Sequence, residues 1–348
     1  MCGAAPVPHT RSGSTNSPAA MADASPKQLY VGVDLGGTKI LAGVFNPALK
    51  LLASAKTSTK AERGPKAVIE RIARTVRDAA DEADLELKQV RAIGIGAPGS
   101  VDSETGRIAF SPNLPGWEDI ALKKELEKQL DLPVFVENDC NACTMGVHVA
   151  ELAAKPRHLV GIFLGTGIGG GLILDGHLFS GFNRTAGEIG HMVIEVGGPK
   201  CGCGNRGCLE ALASCTAIFR RIQTAVKEGG KTILTDMLGD RLDDLRSGDL
   251  RKALKKGDKL VERIVEETAE YVGIAVGNVI NLINPEVVVL GGGVIDALED
   301  EMMAIIIETA KDYAMAGTAK GVEIVATSLG DHAGITGAAV IAREHAKA

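Results

Sequence analysis

Four side chains of this sequence carry the spacing of a metal site: His191, Cys201, Cys203 and Cys208 fall in the order H-x9-C-x-C-x4-C. Three thiolates and one imidazole make up the complete tetrahedral set that Zn2+ takes in structural sites, with no open position for water or substrate. The metal is therefore expected to be structural, and binding worth roughly 10–16 kcal/mol would fix an otherwise irregular glycine-rich loop. The bland reading, free buried cysteines, needs three of them within eight positions by accident. A second pair, Cys140 and Cys143, matches C-x-x-C. It falls where the first turn of a helix is expected, and small buried thiols there pack like alanine or valine, so a redox role is the weaker reading.

Three strand-to-glycine junctions offer a second chemistry: Asp34-Leu-Gly36-Gly37-Thr38-Lys39, Gly165-Thr166-Gly167-Ile-Gly-Gly-Gly171 and Gly291-Gly292-Gly293. Glycine lets backbone N–H groups approach phosphate oxygens closely, and a nearby carboxylate or hydroxyl can hold the accompanying metal ion. Any one of them alone is better read as a tight hairpin. Three together, one headed by Asp34, point to a nucleoside triphosphate. Matches to other nucleotide motifs fail. "GTGIGG" and "GIGAPG" both fit G-x-G-x-x-G, but strand-like "GLILDGHLF" follows the first and Pro98 stands where the second needs a helix, so neither supports a dinucleotide site. "GGKT" at Gly229–Thr232 resembles the end of a Walker loop, yet Ala225 occupies its first glycine position and no buried strand precedes it.

Asp139 follows the apolar run "LPVFVE", so it emerges from a rigid strand edge, where ligand chemistry gathers in an open α/β sheet. A carboxylate there can take a hydroxyl proton while an O–P bond forms, a contribution of roughly 10²–10⁴-fold. The alternative is that Asp139, like Asn138, merely caps the helix that follows. The residues by themselves leave both readings open. Glu188 and Glu210 flank the metal ligands; taken singly, each is as well read as a solvated charge. The other histidines, His9, His148, His158, His177, His332 and His345, lack partner spacing and are expected to be surface or packing residues.

The elements that must hold these residues show as apolar runs and periodic faces. Residues 29–34 (LYVGVD) and 39–45 (KILAGVF) read as a hairpin with a glycine tip, followed by a polar strand near 51–57. A helix from about Pro65 to Ala83 presents Val68, Ile72, Val76 and Ala79 on one face. "RAIGIGAPG" and "LPVFVEND" read as buried strands, with helical spacing from Asp119 to Leu130 between them. "VGVDLGG" at Val31 is echoed by "VGIFLGT" at Val160, so the chain looks internally duplicated. A long helical region from about Leu209 to Asp312 is interrupted by "NPEVVVLGGGVID"; "GVEIVATSLG" and "AGITGAAVIAREHA" give a last strand and a last helix.

A chain of 348 residues is long enough for two domains, each with its own core and a cleft between them. A net charge of −6 and the lack of a Lys/Arg cluster argue against a nucleic-acid partner. The longest uncharged stretch, Leu159–Leu174, holds six glycines and falls short of the roughly 20 apolar residues that span a bilayer, so no membrane segment is expected. Residues 1–28 are rich in Ala, Ser and Pro without an apolar signal core; a disordered tail in a cytoplasmic protein is expected, with Met21 as an alternative start. Seven cysteines, an odd number without an export signal, read as reduced thiols or metal ligands.

At this point a resemblance is plain. "DLGGTK", "LGTGIGGG" and the later "GGG" resemble the phosphate and adenosine loops of the actin-like ATPase and sugar kinase superfamily. "GIGAPGSVD", "SPNLPGW", "VEND", "GEIGHM" and "CGCGNRGCLEALAS" resemble the ROK family of bacterial sugar kinases and repressors, its glucokinases in particular, over about Leu29 to Ala342. The resemblance implies an α/β protein with the duplicated actin-like (ribonuclease H-like) ATPase fold, two lobes and a cleft. The small lobe would span 29–137, completed by a C-terminal helix at about 333–348, and the large lobe 138–332 with the zinc loop.

It further implies phosphoryl transfer from Mg-ATP to a hexose, with Asp139 as catalytic base. Asn113, Asn138, Asp139, Glu188, His191 and Glu210 match the positions that bind sugar hydroxyls, and Gly99 and Ser100 lie in a loop near the ring. His191 would serve both zinc and sugar through its two nitrogens. Asp34 would hold Mg2+; Gly36, Gly37, Thr38, Gly165, Thr166 and Gly167 would meet the phosphates, and Gly291, Gly292 and Gly293 the adenosine. Lys39 would reach the phosphates or stand as a solvated strand lysine. Val147 departs from the family, which usually has Glu there. Glucose is the expected acceptor, with N-acetylglucosamine, N-acetylmannosamine, mannose and fructose as alternatives, and a homodimer is implied. A transcriptional regulator of the same family would need an N-terminal helix-turn-helix, which the Pro/Ser/Ala-rich residues 1–28 do not suggest.

Overall fold

The computed structural model of the chain describes residues 28–239 and 241–347, so the expected tail lies outside the described residues except for its last position. Apolar runs punctuated by glycine set the first sheet. β1 (Leu29–Leu35) and β2 (Lys39–Phe45) pair antiparallel, with Leu35 opposite Ile40 across the tip. β3 (Leu51–Ser58) adds to β2, and its strict alternation of half-buried and exposed residues suits an edge strand with one face on the core. After α1 (Gly64–Asp81), opened by Pro65, β4 (Val90–Ala97) runs parallel to β1. The chain then builds a small antiparallel sheet from β5 (Ser100–Asp102), β6 (Arg107–Phe110) and β7 (Glu118–Ile120). α2 (Leu122–Leu130) leads to β8 (Val134–Asn138), parallel to β4, which completes the order β3-β2-β1-β4-β8.

The expected helix from Asp119 is thus shortened at its start. Asp119 takes a left-handed backbone (φ +53°) and its Oδ1 accepts from Arg107 Nε at 2.8 Å. That pairing holds Glu118–Ile120 in a strand beside β6 and delays the helix to Leu122.

The second half repeats the plan. α3 (Asp139–Gly146) leads away from the first sheet; β9 (Leu159–Leu164), β10 (Ile168–Leu174) and β11 (His177–Leu178) form an antiparallel run. The expected helical region divides into α4 (Leu209–Ala213), α5 (Cys215–Lys227), α6 (Ile233–Leu238), α7 (Ser247–Lys255) and α8 (Lys259–Ile283). β12 (Val287–Gly291), α9 (Gly293–Tyr313), α10 (Ala316–Ala319), β13 (Glu323–Ala326) and α11 (Ala333–His345) follow. The order β11-β10-β9-β12-β13 has the same succession of two antiparallel and two parallel pairings as the first sheet. The internal echo seen in the sequence is therefore a repeat of topology.

Each five-stranded sheet has its own core. Val33 and Ile95 pack with Ile72 and Val76 of α1 and Leu126 of α2, while Val160, Ile162 and Leu290 pack with Val272 and Val276 of α8 and Ile306 of α9. Burying one such side chain contributes about 1.5–3 kcal/mol. Strand alternation turns Tyr30, Leu41, Phe45 and Ala92 to the opposite face of the first sheet, where Ile335, Ala339 and Ala342 of α11 cover them. The helix rests on bare backbone there: a Cβ at Gly32 or Gly94 would stand 1.8 Å from a carbonyl oxygen of α11. Among the described residues no helix is long and apolar enough to cross a membrane.

Candidate active site

Each main sheet ends its first hairpin in a glycine tip. Gly36 N–H donates to Lys39 O at 2.9 Å, and Gly165 N–H to Gly167 O at 2.8 Å. A threonine braces each tip: the Thr59 hydroxyl donates to Gly36 O and the Thr216 hydroxyl to Thr166 O, both at 2.7 Å. Thr38 and Thr166 stand exposed on them. At the third junction Gly291 ends β12, Gly292 is the N-cap of α9 and Gly293 its first residue. The first-turn amides of that helix have no intrahelical acceptor and are free for a ligand.

Asp34 lies near the end of β1, and burial pushes its carboxyl up to about 7; the charge of Asp139 adds to this, Lys39 opposes it and Asp331 adds a little more. Lys39 is not a free lysine, because its Nζ sits 2.7 Å from Asp331 Oδ1. Asp331 in turn takes Lys56 at 3.7 Å. Asp296, in the first turn of α9, has its carboxyl raised by burial first and by Asp331 second. The Asp34 tip and the Gly291–Gly293 junction thus share one electrostatic neighbourhood.

Between β8 and α3 the capping and acidic roles separate. Asn138 is the N-cap: its Oδ1 accepts from Cys140 N at 2.9 Å and Asn141 N at 3.1 Å, and its Nδ2 donates to Gly99 O at 3.3 Å. One Asn138 amide N–H therefore remains for a ligand. Asp139, the first residue of α3, also takes Cys140 N–H on Oδ1 at 2.9 Å and keeps part of its surface open. Burial of the remainder pushes its carboxyl up to about 6, against the pull of the Cys140 N–H and with a further push from the Glu188 charge. Asp139 accordingly lies within electrostatic reach of both Asp34 and Glu188. Gly99 needs to be glycine: its φ is +97°, and a Cβ there would meet Phe110 O at 2.2 Å. Ser100, opposite Phe110, opens β5. Asn113 is exposed, and its carbonyl oxygen would lie 3.0 Å from a Cβ on Gly37, so the "SPNLPGW" segment abuts the first glycine tip.

The four side chains with metal-site spacing come together, with one donor atom from each of His191, Cys201, Cys203 and Cys208 within 4.8 Å of all the others. His191 Nδ1 is 3.6 Å from Cys201 Sγ, and Cys203 Sγ is 3.7 Å from Cys208 Sγ. A tetrahedron with Zn–S near 2.3 Å and Zn–N near 2.0–2.1 Å has edges of about 3.6 Å (N to S) and about 3.8 Å (S to S), so the set fits zinc. Burial pushes the Cys201 and Cys208 thiols up, Cys208 to about 12; a bound dication reverses that preference. His191 Nε2 points away from the thiols, 3.9 Å from Glu188 Oε2. Glu210 spans two parts of the site: Oε1 lies 3.8 Å from Cys201 Sγ, and Oε2 accepts from Ile168 N at 3.0 Å, next to the second glycine tip. Cys140 and Cys143 are free, and burial raises both thiols well above their usual range.

Sequence reasoning missed Asp331, Asp296 and Arg184. The Lys39 partner Asp331 lies 292 residues away, and no local pattern announces such a pair. Arg184 forms ion pairs with Asp102 and Glu104 on the small antiparallel sheet; its left-handed backbone is likewise invisible in the residue string.

Comparisons with known proteins identify the family and the fold. The chain is 37% identical to a glucokinase of Thermotoga maritima over 319 residues, covering 92% of this chain and 98% of that protein. A ROK family glucokinase from Streptomyces griseus, solved in complex with glucose and AMPPNP, superposes with a TM-score of 0.81 at 31% identity, covering 91% of this chain and 99% of that one. A ROK hexokinase from Thermus thermophilus superposes with a TM-score of 0.74 at 35% identity, covering 92% and 99%. The duplicated α/β architecture is the actin-like ATPase fold of these neighbours. Since the ROK family model also matches residues 30–345, nearly the whole described structure, the chain belongs to the ROK family.

Proposed function

We propose that this chain is an ATP-dependent sugar kinase that transfers the γ-phosphoryl group to glucose, giving glucose 6-phosphate and ADP. The observation that carries the reading is Asp139, a partly open carboxyl at the junction of β8 and α3, pushed up to about 6 by burial and coupled to the charges of Asp34 and Glu188. Most of it is ionised near neutrality, yet it is a far better base than a solvated carboxylate. The sugar hydroxyl attacks the γ-phosphorus, the bridging bond to the β-phosphate breaks, and Asp139 accepts the hydroxyl proton as the O–P bond forms. Amides of the glycine tips hold the phosphates, and the Gly291–Gly293 junction receives the adenosine. Asp34 would hold Mg2+, which offsets phosphate charge when bound; a hard cation suits its carboxylate oxygens. Asn113, Asn138, Glu188, His191 and Glu210, with the Gly99–Ser100 loop, form the sugar side, where acceptor-rich groups suit a polyol.

His191, Cys201, Cys203 and Cys208 would hold a structural Zn2+, which would fix the His191 ring and leave its Nε2 for the sugar. The lobes are 29–137 with the C-terminal helix, and 138–332. The same reading takes the protein as a cytoplasmic homodimer without a nucleic-acid or membrane partner; the net charge of −6 argues against nucleic acid, the free thiols fit a reducing compartment, and the dimer rests on the family resemblance alone. Exposed Leu282, Tyr313 and Met315, at adjoining ends of α8 and α9, are candidates for the contact between copies, which sedimentation can test.

The deciding experiment is ADP release over glucose, mannose, fructose, N-acetylglucosamine and N-acetylmannosamine. Glucose is expected to give the highest kcat/KM. Preference for another hexose would reassign the acceptor, and turnover of none would end the kinase proposal.

A further inference from the structure

The two sugar-facing loops are joined by a contact that the catalytic reading does not use. Arg184 sits in the loop between β11 and the short turn Ile189–His191, four residues before Glu188. Its Nη1 lies 3.2 Å from Asp102 Oδ1 and donates to Ser103 Oγ at 3.4 Å, while its Nη2 pairs with Glu104. The partners occupy the tight turn after β5, the strand that begins at Ser100 directly behind Gly99. That turn is shaped in advance, because Asp102 Oδ2 accepts from Thr105 Oγ1 at 2.7 Å and Oδ1 from Glu104 N at 3.1 Å. Gly99 O, at the other end of β5, accepts from Asn138 Nδ2 beside Asp139. Arg184 thus connects the segment carrying Glu188 and His191 to the segment carrying Gly99 and Ser100.

We propose that Arg184 is a positioning residue, a clasp that holds these two loops in register around the sugar without touching it. The identity of the sugar rests on the kinase reading; the clasp itself does not. A planar guanidinium suits the task because its fork engages several acceptors at once. Arg184 has a left-handed backbone, φ 65°, uncommon for a residue with a Cβ and retained where surroundings compensate for it. Its side chain is only 28% exposed, against 43% for Asp102 and 78% for Glu104. Ion pairs so close to solvent are individually weak and screened by salt.

The test uses the full-length protein with Mg-ATP and glucose. R184E is expected to raise KM for glucose roughly three- to tenfold, the range of a lost surface network, with KM for ATP little changed. Adding E104R to R184E should restore part of the loss, which ties the effect to the Arg184–Glu104 pair, while the split between the KM for glucose and the KM for ATP separates positioning from a merely structural role. Salt should raise the glucose KM of the wild type and not that of R184E. Hydrogen–deuterium exchange of the ligand-free protein gives a readout independent of turnover: R184E should speed exchange at residues 100–104 and 180–188 together, and E104R should slow it again. Unchanged exchange in R184E, or a swap that restores neither exchange nor KM, would overturn the clasp. If the wild type phosphorylates no hexose the kinase reading fails, and the exchange result still decides the clasp.

Discussion

Asp139 offers the most searching prediction, because its base strength and its cost to stability share one origin. With a carboxyl at about 6, about nine-tenths is ionised near pH 7 and about one-tenth near pH 5, so kcat/KM should fall at least roughly tenfold between them, protonation of Asp34 adding to the loss. A carboxyl at its ordinary 3.8 would give an almost flat profile over that range. The folded-state value lies above the unfolded one, so the folded protein binds more protons between the two. Its contribution to stability is full below about pH 4 and lost as pH rises through about 6. Raising a carboxyl from 3.8 to about 6 corresponds to at most ~3 kcal/mol, a ceiling because the side chain is partly open and coupled to Asp34. Asp139→Asn removes the burden. The ligand-free variant should therefore be more stable than wild type at about pH 8 and nearly equal at about pH 4, measured by urea unfolding, while kcat drops roughly 10²–10⁴-fold with glucose affinity little changed. A variant equally destabilised at both pH values, or a rate that declines only below about pH 4.5, would refute the reasoning.

Asp34→Asn should likewise stabilise the ligand-free protein above about pH 7, where the wild-type carboxyl must ionise while buried, and should cost at least roughly 100-fold in turnover; melting curves and a coupled assay check both. Cys201→Ser should abolish bound zinc by elemental analysis and lower melting temperature and glucose affinity together, since His191 loses its anchor; unchanged metal content would show that the ligand set is wrong. Gly99→Ala should destabilise by roughly 1–3 kcal/mol in urea unfolding because of the positive φ, and should raise the glucose KM by moving the acceptor of Asn138 Nδ2.

Much of this was legible in the sequence for identifiable reasons. β1 and β2 are apolar runs stopped by Gly36 and Gly37, and β2 has the expected bounds of Lys39 to Phe45. His191, Cys201, Cys203 and Cys208 are close in sequence, so their spacing alone foretold their meeting. Elsewhere local signals were insufficient. Glu118–Ile120 has polar, exposed residues and becomes a strand only because β6 and Arg107 lie beside it. The competition between capping and catalysis at Asn138 and Asp139 could not be divided from residue types; the hydrogen bonds assign the cap to Asn138. Lys39 read equally well as solvated or phosphate-bound until Asp331 appeared beside it. Ion pairs between distant residues leave no periodic trace, and Arg184 was silent for the same reason.

The placement of α11 has a consequence for how the molecule is made. Tyr30, Leu41, Phe45 and Ala92 come from the first quarter or so of the chain, but their cover is among its last residues, Ile335, Ala339 and Ala342. During synthesis the amino-terminal sheet must wait, with one greasy side uncovered, until nearly the whole polypeptide has left the ribosome. So long-range a closure slows folding and leaves a nascent intermediate inclined to aggregate. A chain that stops short of Ile335 would lack the lid of its earliest-made sheet, although the residues proposed for catalysis would all be present.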